Sequence, residues 1–212
     1  MEFQKPLDRV LDSDVKVRIL RFLCQKGGEW SGRRIADEVA VHPTTAHKAL
    51  RDLRHATVLH FKPVGNSFVY SLRDGHVLVQ ELLRPLFRRE AQLREQVIAL
   101  LRQGFRGSWR SAVVSAALYG SLARQQERPG SDIDLLVLVD SAPAKREVQE
   151  ALDRLGAIVM QTFGNPLTLY VNTVREAQQK ARRGMPLFAN ILRDHRLVWG
   201  KPLQEVLHGR ET

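Results

Sequence analysis

Gly120-Ser121 stands ten residues ahead of Asp132-Ile133-Asp134, and no other part of this 212-residue chain speaks as directly of chemistry. A glycine after an apolar run lets backbone approach a bound group with no side chain in the way. A helix starting there would offer free N–H groups and the positive end of its dipole to a phosphate, and the Ser121 hydroxyl would add a donor. Alternate residues of a strand share a face, so Asp132 and Asp134 point together while Ile133 points away. Two neighbouring carboxylates repel unless a cation lies between them, and magnesium prefers oxygen ligands in the company of phosphates. These residues predict a site in which Gly120 and Ser121 bind a nucleotide while Asp132 and Asp134 are the metal-binding and catalytic pair. Such a site suits phosphoryl or nucleotidyl transfer with Mg2+ and a nucleoside triphosphate.

The surrounding pattern supplies elements to position these groups. Ala112–Leu118 reads as an apolar strand, followed by a short helix from Gly120, and Ile133–Val139 as a second strand. Pro143–Leu155 reads as an amphipathic helix closed by Gly156. Two more strands are expected at Ala157–Phe163 and Leu167–Asn172, around the turn Gly164-Asn165-Pro166. Helices over Val174–Arg182 and Leu187–Arg193 and a short strand over Arg196–Trp199 complete the pattern. Alternating strands and helices imply one sheet with helices packed on it.

The stretches Leu118-Tyr119-Gly120-Ser121-Leu122-Ala123-Arg124 and Pro129-Gly130-Ser131-Asp132-Ile133-Asp134-Leu135-Leu136-Val137 resemble the DNA polymerase beta superfamily of nucleotidyltransferases. The resemblance is to its minimal type, which includes kanamycin nucleotidyltransferase-like and antitoxin-like members, and it covers roughly residues 111–200. It implies that the carboxylate pair binds two magnesium ions and the Gly-Ser segment holds the triphosphate. A nucleoside monophosphate would pass to an acceptor hydroxyl with release of pyrophosphate. The family also carries a third carboxylate on a later strand. The corresponding segment, Leu167-Thr168-Leu169-Tyr170-Val171-Asn172, has no acid. Thr168 and Tyr170 share a face and are the expected occupants, and neither replaces a carboxylate at neutral pH. Asp153 and Asp194 fall in expected helix or loop.

The first part of the chain follows a different plan. Ser13 is placed to cap a helix over Asp14–Gln25, Ser31 a second over Gly32–Val39, and Pro43 opens a third that reaches about His55. Residues 58–62 and Ser67–Leu72 flank a turn at Gly65-Asn66 and read as a hairpin. Three helices and a hairpin are the order of a winged helix-turn-helix, whose second motif helix enters the major groove of DNA. Candidate DNA contacts are Thr44, Thr45, His47, Lys48 and Arg51 on that helix, with Arg33, Arg34 and Lys62 reaching phosphates. His42, His47, His55 and His60 lack the spacing of a zinc site, and no cysteine is near them.

A formal net charge of +10 suits a polyanionic partner. The excess is shared, with 13 basic and 9 acidic residues through His76 and 20 and 14 after it. No apolar run is long enough to span a bilayer, the first residues do not read as a signal peptide, and the single cysteine, Cys24, lies in an apolar segment. A cytoplasmic location is therefore expected. The expected fold is α/β (α+β): a winged helix domain over 1–76, a linker helix over 77–107 broken at Pro85, and a nucleotidyltransferase-fold mixed sheet with flanking helices over 108–212. The apolar positions of the linker suggest a homodimer. The predicted function is DNA binding joined to Mg-triphosphate binding and nucleotide transfer to a protein or small-molecule acceptor. The alternatives are a transcription regulator with a degenerate nucleotide-sensing domain and a toxin-antitoxin component.

Overall fold

The computed structural model describes residues 3–65 and 67–208, and the chain divides into two compact units, residues 1–93 and 94–212. The break falls inside the segment expected to be a linker. Its first half buries Leu78, Val79, Leu83 and Phe87 in the core of the first unit, whereas Val97, Leu101 and Phe105 belong to a core of the second.

In the first unit α1 spans Asp14–Lys26, with Ser13 Oγ accepting from the Lys16 amide at 3.4 Å. A two-residue strand, β1 (Trp30–Ser31), was not expected from sequence; Ser31 also caps α2 (Gly32–Glu38). In α3 (Pro43–His55), Ala46, Ala49, Leu50 and Leu53 recur at helical spacing and are buried. Strands β2 (Leu59–Val64) and β3 (Ser67–Leu72) form an antiparallel hairpin, and the sheet order is β1-β3-β2. Of the expected Gly65-Asn66 turn, Asn66 lies outside the described residues. A π-helical turn over Leu78–Leu83 leads into α4 (Arg84–Ala91), with Pro85 in its first turn. The backbone stays helical from this π turn into α4, so Pro85 stands where the helix changes type and not at a free helix start. Burial pushes the Cys24 thiol up to about 11, so it is a protonated core group near neutral pH.

The second unit begins with α5 (Leu93–Gly104) and a 3-10 turn, Ser108–Ala112. Then come β4 (Val113–Tyr119), α6 (Gly120–Arg124), β5 (Ile133–Val139), α7 (Ala142–Phe163) and β6 (Leu167–Thr173). After these follow α8 (Val174–Arg182), α9 (Pro186–Arg193), β7 (Arg196–Gly200) and α10 (Leu203–His208). The mixed sheet has the order β6-β5-β4-β7, with β5 and β6 parallel and the other pairs antiparallel. One face packs Ile133, Leu135 and Val137 against α5 and α7, and the other packs Leu136 and Leu138 against α8, α9 and α10.

The strand expected over Ala157–Phe163 is helix instead. Gly156 does not end α7, because Leu152, Leu155 and Val159 keep one face buried across it, and the capping glycine is Gly164 at φ +75°. A parallel β5–β6 pair also needs a crossover of a dozen or more residues, and α7 is that crossover.

Candidate functional site

The candidate site forms where three strands meet at one end of the sheet. Tyr119 on β4 is paired with Asp134 on β5, and Asp134 with Thr168 on β6, so the three lie in one row. Ile133 is buried on the opposite face, which leaves Asp134 half-buried on the α8 side. Asp132 stands just before β5 and is exposed. It is positioned by a tight loop in which the Arg128 amide donates to Ser131 Oγ and the Ser131 amide to the Arg128 carbonyl, both at 2.9 Å. The Asn165 side chain donates to the Ser131 carbonyl at 2.8 Å, tying this loop to the turn before β6.

Gly120 meets two demands at once. Its φ is +75°, and a Cβ there would collide with the Asp134 carboxylate. The turn after β4 therefore rests directly on the acid pair. α6 has only five residues, so the expected helix dipole contributes little; what remains is a first turn of N–H groups with no side-chain cap and the Ser121 hydroxyl, which has no partner among the described residues.

The electrostatics are those of an acid pair that its surroundings compensate only in part. Burial, and then the Asp132 charge, push the Asp134 carboxyl above its usual range, while Arg124 on α6 opposes them. Burial with the nearby Asp134 charge pushes the Tyr119 phenol up to about 12. Thr168 occupies the position expected for the missing acid and donates from Oγ1 to Asp132 Oδ2 at 2.8 Å. Tyr170, one pleat along, is paired with Leu136, packs near Phe188 and accepts from Lys180 Nζ at 3.0 Å. Asp153 is on α7, across the sheet, and accepts from Gln149; Asp194 follows α9 and is ion-paired with Arg193 at 3.7 Å. Neither joins the row. Among the described residues no group of three or more His, Cys, Asp or Glu side chains gathers. Two carboxylates beside open N–H groups fit one magnesium completed by substrate phosphates, whereas a second ion would lack a protein carboxylate of its own.

Residues 98–190 match the family model of a nucleotidyltransferase domain. The match contains Gly120, Ser121, Asp132, Asp134 and Thr168 and none of the first 97 residues. No curated protein matches the chain. Among solved structures, a toxin-antitoxin with AMP-PNP is 19% identical, with 53% of this chain and 77% of that one covered and a TM-score of 0.31. A mutant of the toxin-antitoxin MntA-HpeT is 16% identical, with 54% and 78% covered and a TM-score of 0.32. Within the second unit, three contributors escaped sequence reading. Arg124 sits in the motif three residues after Ser121, a helical spacing that could have suggested it. Asn165 looked like an ordinary turn residue, and Lys180 reaches Tyr170 and Asn172, farther along β6 than the row, only through tertiary packing.

The first unit gathers a second set. Thr44, His47, Lys48 and Arg51 line an open concavity of about 540 Å³ together with Arg54, Phe61, Phe68 and Tyr70. Arg54 lies over the Phe61 ring at 4.0 Å, and Phe61 and Phe68 are 5.7 Å apart. Thr45 and Arg33 are exposed outside this concavity. Arg34 is held by Glu38 at 2.5 Å and Lys62 by Glu29 at 2.7 Å. His42 serves as the N-cap of α3, and His47 packs on Gly32, where a Cβ would come within 2.8 Å of its ring.

Proposed function

We propose that the nucleotidyltransferase domain binds a magnesium nucleoside triphosphate at Gly120, Ser121, Asp132 and Asp134 and transfers its nucleoside monophosphate slowly to an acceptor hydroxyl. The observation that carries this reading is the close approach of Gly120 to the Asp134 carboxylate, which sets the start of α6 directly against the acid pair. Asp132 and Asp134 would hold a magnesium ion, which would supply charge neutralisation at the phosphates. Gly120 lets the turn lie against Asp134 with no side chain between them, the N–H groups after it would hold phosphate oxygens, and Ser121 would donate one more hydrogen bond. Asp132 and Asp134 hold the cation, and Thr168 fixes the Asp132 carboxylate. In the transfer, the acceptor oxygen forms a bond to the α-phosphorus. The bond from that phosphorus to the bridging oxygen breaks, and pyrophosphate leaves. Calorimetry with each nucleoside triphosphate and magnesium tests the binding, with Asp132→Asn and Asp134→Asn each expected to abolish it in folded protein. Unchanged affinity in both variants would remove the assignment.

Thr168 also favours a second reading, in which the domain senses a nucleotide without transferring it. An α-labelled triphosphate incubated with protein and cell extract separates the two, since only transfer leaves label on an acceptor.

For the first unit we propose a winged helix-turn-helix that binds duplex DNA, with α3 in the major groove and the β2–β3 hairpin as the wing. The support is the clustering of Thr44, His47, Lys48 and Arg51 on one open face. Affinity should fall steeply with salt. The joint change of Arg33, Arg34 and Lys48 to alanine should weaken it strongly. Pairing of two copies would rest on the exposed apolar row Val77, Leu82, Leu86 and Leu93, and sedimentation at micromolar concentration tests it.

A further inference from the structure

The nucleotidyltransferase domain carries an arginine face that its acid pair does not explain. Arg175, Gln179, Arg182 and Arg183 are exposed along α8 and, with Gln178, line an open concavity of about 630 Å³. None of the three arginines has a carboxylate partner among the described residues. Other cations of this domain do: Lys145 is held by Glu176, Arg146 by Glu150 and Arg196 by Glu95. The helix dipole accounts for cations in its last turn, such as Arg182 and Arg183, but not for Arg175 in the first turn, where a positive charge is disfavoured.

The direction of α8 connects this face to the site. Its N-cap is Thr173, at the end of β6 remote from Thr168. Six residues after Val174, Lys180 Nζ reaches Asn172 at 2.5 Å and Tyr170 at 3.0 Å. Helical side chains lean toward the N-terminus, so the backbone of Lys180 is already farther toward Thr168 than its amine. α8 therefore runs back along β6 toward the acid end, and Arg182 and Arg183 are its cations nearest that end. Arg175 lies roughly 10 Å behind Arg182 along the helix axis. A track of guanidinium groups without carboxylate partners among the described residues, with the exposed Gln179 amide beside it and running toward the acid end of β6, matches a linear chain of phosphates.

We propose that the α8 face binds the phosphodiester backbone of a single nucleic-acid strand, which delivers its terminal hydroxyl to the acid pair as the acceptor. This rests on the transfer reading given above. The hydroxyl oxygen would bond to the α-phosphorus of the triphosphate, pyrophosphate would leave with the electrons of the broken bond, and the proton would pass to solvent.

The test uses the full chain with Thr44, Lys48 and Arg51 already changed to alanine, so that the first unit contributes little. Fluorescence anisotropy is measured with single-stranded RNA and DNA 20-mers of one sequence across a salt series. Changing Arg175, Arg182 and Arg183 together to glutamine should weaken binding at least tenfold near 0.1 M salt. It should also reduce the slope of log affinity against log salt by about 2, since each single-strand contact contributes about 0.7. The triple change to lysine should keep most of the binding, which excludes misfolding as the cause. The RNA and DNA arms tell which strand is preferred. Magnesium-triphosphate affinity, measured by calorimetry, should be the same in all variants, and its absence in every protein would count against the nucleotide site rather than the α8 face. Unchanged affinity and salt slope in the glutamine variant would overturn the proposal and leave the face to an acidic protein partner or to solvent.

Discussion

The Thr168 hydroxyl donates to Asp132 at 2.8 Å from a position in register with Asp134, so a neutral donor stands where a third acid would complete the row. A hydroxyl at neutral pH accepts no proton permanently and carries no charge for a second cation. General-base assistance is typically worth about a hundred- to ten-thousand-fold in rate. Transfer by the native protein is therefore expected to be slow, and Thr168→Asp should raise it within that range in the presence of magnesium. Tyr170→Asp is the register control: it removes the Lys180 contact and packing near Phe188, and should lower the Tm without raising transfer. Fast native turnover that Thr168→Asp leaves unchanged or diminishes would point to another base.

Gly120 and Gly130 offer a matched comparison. Both have positive φ, +75° and +79°, so alanine at either costs roughly 1–2 kcal/mol of backbone strain. A Cβ at Gly130 meets nothing within 4 Å, whereas at Gly120 it meets the Asp134 carboxylate. That carboxylate can swing aside, so Gly120→Ala should fold with a similar loss of Tm but lose magnesium-triphosphate binding. Gly130→Ala should keep it. Equal nucleotide affinity in the two variants would separate Gly120 from the site.

Much of this arrangement was legible in the residues because the signals were local. Gly120, Asp132 and Asp134 sit on a strand-turn-helix-strand segment whose periodicity fixes which side chains share a face, and the Thr168 position followed from the same alternation on β6. The failures came where long-range packing overruled a local signal. Gly156 looked like a helix end, yet the buried row Leu152, Leu155 and Val159 carried α7 through it. The 77–107 segment read as a single linker broken only at Pro85, because its apolar spacing does not tell which of two cores receives each side chain. Ion pairs were invisible as well: nothing in the sequence shows that Glu29 holds Lys62 or that Glu38 holds Arg34.

Those ion pairs rank the expected DNA contacts. Lys62 and Arg34 must leave Glu29 and Glu38 before they can reach phosphates, whereas Lys48 lines the concavity with no such partner among the described residues. Lys48→Ala should lower duplex affinity more than Lys62→Ala and reduce the salt slope by about 0.9, the value for one B-DNA phosphate contact. Filter binding over a salt series measures both quantities. A larger loss from Lys62→Ala would make the wing, rather than α3, the main phosphate contact.

The raised Asp134 carboxyl has a consequence for stability that can be read without any ligand. Burial and the Asp132 charge make ionisation harder in the folded chain than in the unfolded one. Between the two pKa values the folded state holds more protons, so stability falls as pH rises from the unfolded value, near 3.8, through the raised folded value, and stays lower above it. Asp134→Asn removes that charge. In the absence of divalent cations its Tm should exceed that of the native protein at pH 7, and the difference should shrink as the pH is lowered toward 4. Adding magnesium with a nucleoside triphosphate should reverse the order, because the ion relieves the repulsion only where the carboxylate remains and ligand binding stabilises only the native site. Thermal unfolding at several pH values, with and without the magnesium nucleotide, provides all four comparisons. An Asp134→Asn protein less stable than native at pH 7 without metal would mean that the carboxylate is held by favourable contacts and is not a strained half of a metal site.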